Sequence, residues 1–192
     1  VITDEQHRFG VVQRAELEDN RQVHALVMSA TPIPRTLSLI LFGETGISVI
    51  DTLPKGRKQV KTSIVSSFKR RDMYKWLKEE LKQGKQAYVV CPLIEHSDEL
   101  NCKSAIEVYE ELKEAGFDAA LLHGQLKPAV KNEVMRRFKE NEISVLVTTT
   151  VIEVGVDVKN ANIMIVENAE RFGLAQLHQL RGRVGRGNEE AR

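Results

Sequence analysis

Three things are scarce in this sequence, and each scarcity excludes a class of function. There are two cysteines, Cys91 and Cys102, spaced like neither a metal cluster nor a redox pair. Cys91 reads as a buried strand residue and Cys102 as incidental. No run is long and apolar enough to cross a bilayer, and the first residues do not read as a signal peptide, so no membrane partner and a cytoplasmic location are expected. Neither sign of charge dominates, since 28 Lys and Arg against 27 Asp and Glu leave a formal net charge of +1. A chain that held nucleic acid by bulk counterion release would carry a basic excess. Any grip on phosphate must therefore be local. What remains is 192 residues, 42% hydrophobic and 29% charged, an ordinary globular balance with enough chain to bury one or two cores.

The residues best suited to phosphate stand near the end, in Gln179-Leu180-Arg181-Gly182-Arg183-Val184-Gly185-Arg186. Guanidinium groups take phosphate oxygens bidentately and stay charged at any physiological pH, and the two glycines let backbone approach a ligand. A basic, solvated helix end is the plainer alternative. At the other end, Val1-Ile2-Thr3 runs into the adjacent carboxylates Asp4 and Glu5. This is the pattern of a buried parallel strand whose C-terminal edge could carry a metal on Asp4 and a water-orienting base on Glu5, or simply end there.

Between these ends, strand and helix patterns alternate. Strands are expected over 24–29, 46–51, 60–66, 86–94, 119–122, 143–147 and 162–166. Helices are expected over 34–42, 71–83 (Met73, Trp76, Leu77 and Leu81 on one face, Gly84 as its stop) and 104–115 (Ile106, Tyr109 and Leu112 inward, Gly116 as its stop). Two more are expected from Pro128, with Val130, Val134, Met135 and Phe138 on the sheet, and over 174–181. Trp76 reads as core and not as a base-stacking platform. Leu53-Pro54-Lys55-Gly56-Arg57-Lys58 interrupts the pattern and suits an exposed linker at 53–58, with a plain surface loop as the alternative. Strands separated by helices of this length imply right-handed crossovers and a parallel sheet covered on both faces, an α/β fold.

Asp4-Glu5-Gln6-His7, Ser29-Ala30-Thr31-Pro32, Thr148-Thr149-Thr150 leading into Glu153-Val154-Gly155-Val156-Asp157, and Gln179 to Arg186 stand in the order of motifs II, III, V and VI of superfamily-two helicases. The longer strings His7-Arg8-Phe9-Gly10-Val11, Ala30 to Thr36 and Phe172 to Gln179 resemble the bacterial RecG family of branched-DNA helicases and its relative, the transcription-repair coupling factor. Gln6, residues 53–58 and residues 95–112 resemble RecG more. The resemblance runs through essentially the whole chain. It implies that 59–192 is a RecA-like (P-loop NTPase-type) helicase C-terminal domain carrying motifs IV to VI, and that 1–52 is the trailing part of a first RecA-like domain.

The resemblance also implies roles. ATP and Mg²⁺ would lie in a cleft between two motor domains of a full-length parent, with Asp4 holding the metal and Glu5 positioning the attacking water. Arg183 and Arg186 would act as arginine fingers, with Arg181 either a further contact or a helix-surface residue. Gln6, His7, Gly155, Asp157 and Gln179 would line or couple to the nucleotide. Ser29 and Thr31 would couple ATP to DNA, or merely cap a turn. Thr148, Thr149 and Thr150 would meet DNA phosphates, and His123 and Gly124 would touch the backbone unless they are structural. The partner implied is branched DNA, forks and Holliday junctions. A single-strand-binding protein is a further partner of the parent to test, and a monomer is expected. The sequence holds no Gly-x-x-x-x-Gly-Lys-Ser/Thr loop, so this chain alone is expected to hydrolyse ATP negligibly and to hold no cofactor tightly. The alternatives are a coupling-factor motor and a non-hydrolysing scaffold for nucleic acid or protein.

Overall fold

A computed structural model describes residues 1–4, 24, 26–28, 46, 48–52, 58–92, 98–149, 158, 160–185 and 190–192, the side chains of 4 and 98–103 excepted. The chain divides into two compact units, Val1–Asp51 and Thr52–Arg192.

In the first unit, β1 (Ile2–Asp4) pairs in parallel with β2 (Leu26–Met28), in a register that sets Asp4 opposite Met28. The strands form where the short apolar runs predict them, yet Ile2, Leu26, Val27 and Met28 are exposed. The expectation of buried strands is thus not met. A parallel pair is buried only beneath covering layers, and among the described residues none lies over these side chains. Ser48, Val49 and Ile50, expected in a strand, carry no regular structure and are exposed.

The second unit holds a four-stranded parallel sheet in the order β4-β5-β3-β6. Its elements run α1 (Arg70–Lys82), β3 (Gln86–Val90), α2 (Asp98–Glu114), β4 (Ala119–Leu122), α3 (Pro128–Lys139), β5 (Val145–Thr148), β6 (Ala161–Val166) and α4 (Leu174–Arg181). Period-two alternation divides the strands between two cores. Tyr88, Val90 and Leu146 point to one side, where Met135 and Phe138 of α3 and Leu180 of α4 meet them. Ala87, Val89, Val145 and Val147 point to the other, against Leu77 of α1 and Ala105 and Leu112 of α2. The near-continuous apolar strands follow from this, because a sheet covered on both faces has no polar side.

Three sequence expectations shift. Residues 60–66 carry no strand. Val60 packs against the core, but residues 61–66 are exposed, and their backbone hydrogen bonds, Lys61 N–H to the Ala191 carbonyl and Lys69 N–H to the Ser66 carbonyl, both at 2.9 Å, form no strand ladder. In α2 the inward face is Ala105, Val108, Tyr109 and Leu112, while Ile106 is exposed. In α3, Val130 is exposed and the sheet is met one turn later by Val134, Met135 and Phe138. Trp76 does pack against the second core, half-buried. The expected helix 34–42 and linker residues 53–57 lie outside the described residues.

Candidate phosphate-contacting edge and arginine turn

Register places one set of candidates. Leu122 and Val90 both lie opposite Thr148, and Val90 also lies opposite Val166. The residues that follow these strand ends, His123, Thr149, Cys91 and Glu167, are therefore neighbours across the C-terminal edge of the sheet. In open parallel sheets that edge is where ligands bind. Gly124 extends it into an exposed turn, closed by the Leu126 N–H on the His123 carbonyl at 3.2 Å and braced by Lys131 Nζ, which donates to the Gly124 carbonyl at 2.6 Å. Partial burial, with the Lys131 charge adding to it, holds His123 below the usual imidazole range. It is neutral at pH 7 and can present a ring nitrogen as a donor.

Thr148 and Thr149 are placed differently. Both are buried, Thr148 wholly, with the Thr148 carbonyl accepting from the Cys91 N–H at 2.8 Å. Their side chains face the protein in this arrangement, leaving His123 and Gly124 the more accessible of the described candidates. Cys91 is a free, buried thiol, and burial, helped by Glu167, pushes its pKa up to about 12. It is inert as a nucleophile.

The second set sits at the end of α4. Gln176 closes the helix start, its Oε1 accepting from the Gly173 N–H at 2.9 Å. Leu180 and Val184 are buried in the first core, and the Arg183 N–H donates to the Leu180 carbonyl at 2.9 Å. Arg183 is thus held on a turn with core anchors on both sides. Arg183 is half-buried as a residue and has no carboxylate partner among the described residues. Gln179, four residues before it, is half-buried, whereas Arg181 is exposed and rests against His178 Nδ1 at 3.1 Å. Arg181 is accordingly a helix-surface residue. Of the two glycines, Gly182 is right-handed helical with the Gln179 carbonyl 3.3 Å from any added Cβ, and Gly185 turns at φ +70° with an added Cβ 2.9 Å from Ala191.

Of the other candidates, Asp4 ends β1 opposite Met28. Glu5, Gln6, His7, Ser29, Thr31, Thr150, Gly155, Asp157 and Arg186 lie outside the described residues. No cluster that could hold a metal occurs among the described residues, and no helix among them is long and apolar enough to cross a membrane.

One arrangement had no signal in the sequence. Arg70, at the start of α1, makes a bidentate contact with Glu111 of α2 (Nε–Oε1 2.7 Å, Nη2–Oε2 2.8 Å) and reaches Glu167 after β6 (Nη1–Oε2 3.0 Å). The Arg70 hydrogen bonds hold the Glu111 carboxyl below its usual range.

Comparison with known proteins agrees with this geometry. Residues 58–188 match the helicase conserved C-terminal domain. The chain is 53% identical to an ATP-dependent DNA helicase RecG of Thermotoga maritima over 100% of its length and 25% of that protein. It is 51% identical to that of Bacillus subtilis, over 100% of its length and 29% of that protein. The chain thus spans about a quarter of the length of these relatives. A solved structure of RecG bound to a three-way DNA junction superposes with a TM-score of 0.76 at 48% identity, covering all of this chain and 25% of that one. Dbp5 of S. cerevisiae, at 17% identity and a TM-score of 0.67 over 99% of this chain and 51% of that one, shares the fold. The fold is the RecA-like parallel sheet of a helicase C-terminal domain.

Proposed function

We propose, because the chain belongs to the family of the helicase conserved C-terminal domain, that it is motor machinery of a RecG-type, ATP-dependent DNA helicase that remodels branched DNA at forks and Holliday junctions. Residues 59–192 are its second RecA-like motor domain, 53–58 the linker and 1–52 the trailing part of the first. The observation that carries this reading is about half identity to RecG helicases along the whole chain, with the motif residues in order.

ATP with Mg²⁺, bound by the full-length parent, supplies the phosphoryl chemistry. An arginine half-buried on a core-anchored turn, with no carboxylate partner among the described residues, fits such an anion, because a guanidinium takes phosphate oxygens bidentately and stays charged. Arg183, with Arg186, would contact the phosphoryl oxygens and stabilise the charge on them. Asp4 would hold the metal, and Glu5 would orient the attacking water. Gln6, His7, Gly155, Asp157 and Gln179 line the nucleotide or relay its state, and Ser29 and Thr31 couple that state to DNA. At the sheet edge, His123, Gly124 and Thr150 grip phosphates of one strand without reading sequence, and Thr148 and Thr149, buried in this arrangement, join them only if the edge opens on DNA. Such a grip needs no basic excess, in keeping with a net charge of +1. The protein works as a monomer in the cytoplasm, with single-strand-binding protein as a candidate partner. No observation favours the coupling-factor or scaffold alternatives.

The test is unwinding of a synthetic three-way junction and a linear duplex by the full-length protein. ATP-dependent unwinding of the junction well above that of the duplex is expected. Equal action on both, or none on either, contradicts the branched-DNA reading.

A further inference from the structure

The arginine turn does not rest on its own helix. Gly185 is buried, and a Cβ built on it would stand 2.9 Å from the Cβ of Ala191 and 3.4 Å from Cγ2 of Val60. Ala191 is itself 1% exposed. Its carbonyl accepts from the Lys61 N–H at 2.9 Å. The next residue is fixed to β6 on both its polar groups, the Arg192 N–H donating to the Asn162 carbonyl at 2.9 Å and its carbonyl accepting from the Met164 N–H at 2.8 Å. The Lys61–Glu190 ion pair at 3.0 Å and the Arg192 guanidinium 5.5 Å from the centre of the Trp76 ring fasten the flanks. Residues 190–192 are thus a strap along β6, and the floor beneath Gly185 is a methyl group held by backbone hydrogen bonds.

We propose that Ala191 is a positioning residue for Arg183, its methyl setting the seat of Gly185 and through it the aim of the guanidinium. The inference rests on the reading of Arg183 as a phosphate contact. Val184, between Gly185 and Arg183, is 1% exposed and packed into the first core, and the Arg183 N–H is tied to Leu180. A displacement of Gly185 therefore has little slack to disappear into before it reaches Arg183. Close-packed surroundings transmit such shifts instead of absorbing them. A group that acts on charge developed in the transition state is sensitive to aim in a way that ground-state binding is not.

The experiment is steady-state, DNA-stimulated ATP hydrolysis by the full-length protein as wild type, Ala191→Val, Ala191→Gly, Ala191→Ser and Arg183→Ala. DNA affinity and thermal midpoint are measured on the same samples. Ala191→Val is expected to lower kcat about 10- to 100-fold, as misplacement on the order of 1 Å does, with KM for ATP and DNA affinity within about twofold of wild type. Ala191→Gly cannot overpack and Ala191→Ser adds one atom where valine adds two, so both are expected to lower kcat less. If the valine and glycine variants both turn over like wild type while Arg183→Ala is inactive, the positioning role of Ala191 is overturned and the finger reading stands. Parallel loss of kcat, DNA affinity and thermal midpoint in Ala191→Val and Ala191→Gly also overturns it, in favour of a merely structural contact. If Arg183→Ala keeps wild-type turnover, the reading beneath the inference is what fails.

Discussion

At Gly185 the fold supplies a reason for glycine that the sequence does not show. Its place among arginines suggests backbone approach to a ligand, and its missing Cβ also lets it seat against Ala191 and Val60. Only tertiary contact reveals that neighbour, which no local pattern encodes. Gly185→Ala must take a side chain to φ +70° and press it on Ala191, so a loss on the order of 1–3 kcal/mol is expected in chemical denaturation. Gln86 was likewise invisible as a special residue. It is wholly buried, and its Nε2 donates to the carbonyls of Phe138 at 2.6 Å and Ile143 at 2.7 Å, tying the end of α3 to β3. Gln86→Leu leaves both carbonyls without that donor, at about 1–3 kcal/mol, partly offset because the buried Gln86 Oε1 has no partner of its own. His123 carries a prediction in pH. Its folded pKa is depressed by burial first and Lys131 second, so the stability tied to its neutral form is present above the ordinary imidazole value and is lost as pH falls through the folded one. Lys131→Gln should move the His123 titration upward in NMR, and an unchanged or lower midpoint would contradict the Lys131 contribution.

At the scale of elements, the central sheet was legible and its margins were not. Residues 119–122 and 174–181 match their expected bounds, and β3, β5 and β6 differ at their ends, because a two-sided apolar strand between helix stops is a strong local signal. The strand expected over 60–66 fails for a physical reason: alternation marks a segment able to pair, and pairing depends on a partner that the pattern cannot supply. Ile106 and Val130 were misplaced because a helical stripe tolerates about one residue of rotation, which is settled by the neighbour it packs on. Phe138, wholly buried and 5.0 Å from Tyr88 between ring centres, joins α3 to β3. Phe138→Ala is expected to cost about 3–5 kcal/mol in thermal or chemical unfolding. Arg70 joins α1, α2 and the exit of β6 through partly exposed pairs, so Arg70→Gln should cost about 1 kcal/mol, discounted for solvent screening. Glu111 has a depressed pKa. The Arg70 contribution is therefore present above the ordinary carboxylate value and fades as pH falls through the lower folded one. Wild type and Arg70→Gln should converge in stability in acid, and a gap that persists there would contradict the ion pair as its cause.

For the whole molecule, the family and the fold were legible because motifs of helicases are short strings in fixed order, whereas the supports of the arginine turn are scattered over residues 60, 61, 162, 164 and 191. On the proposed reading the chain carries the arginine half of a nucleotide site, and its sequence holds no Gly-x-x-x-x-Gly-Lys-Ser/Thr loop to cradle phosphates. The isolated 192-residue chain should accordingly show no multiple turnover of ATP. The measurement that tests the central claim most directly is ATP hydrolysis by the full-length protein on branched DNA, wild type beside Arg183→Ala and Arg186→Ala, with linear duplex as control. The account predicts stimulation by branched DNA in the wild type and a loss on the order of 10³-fold in each variant, with DNA binding retained. Absence of turnover in the wild type, or full turnover in both variants, would contradict an arginine-finger motor.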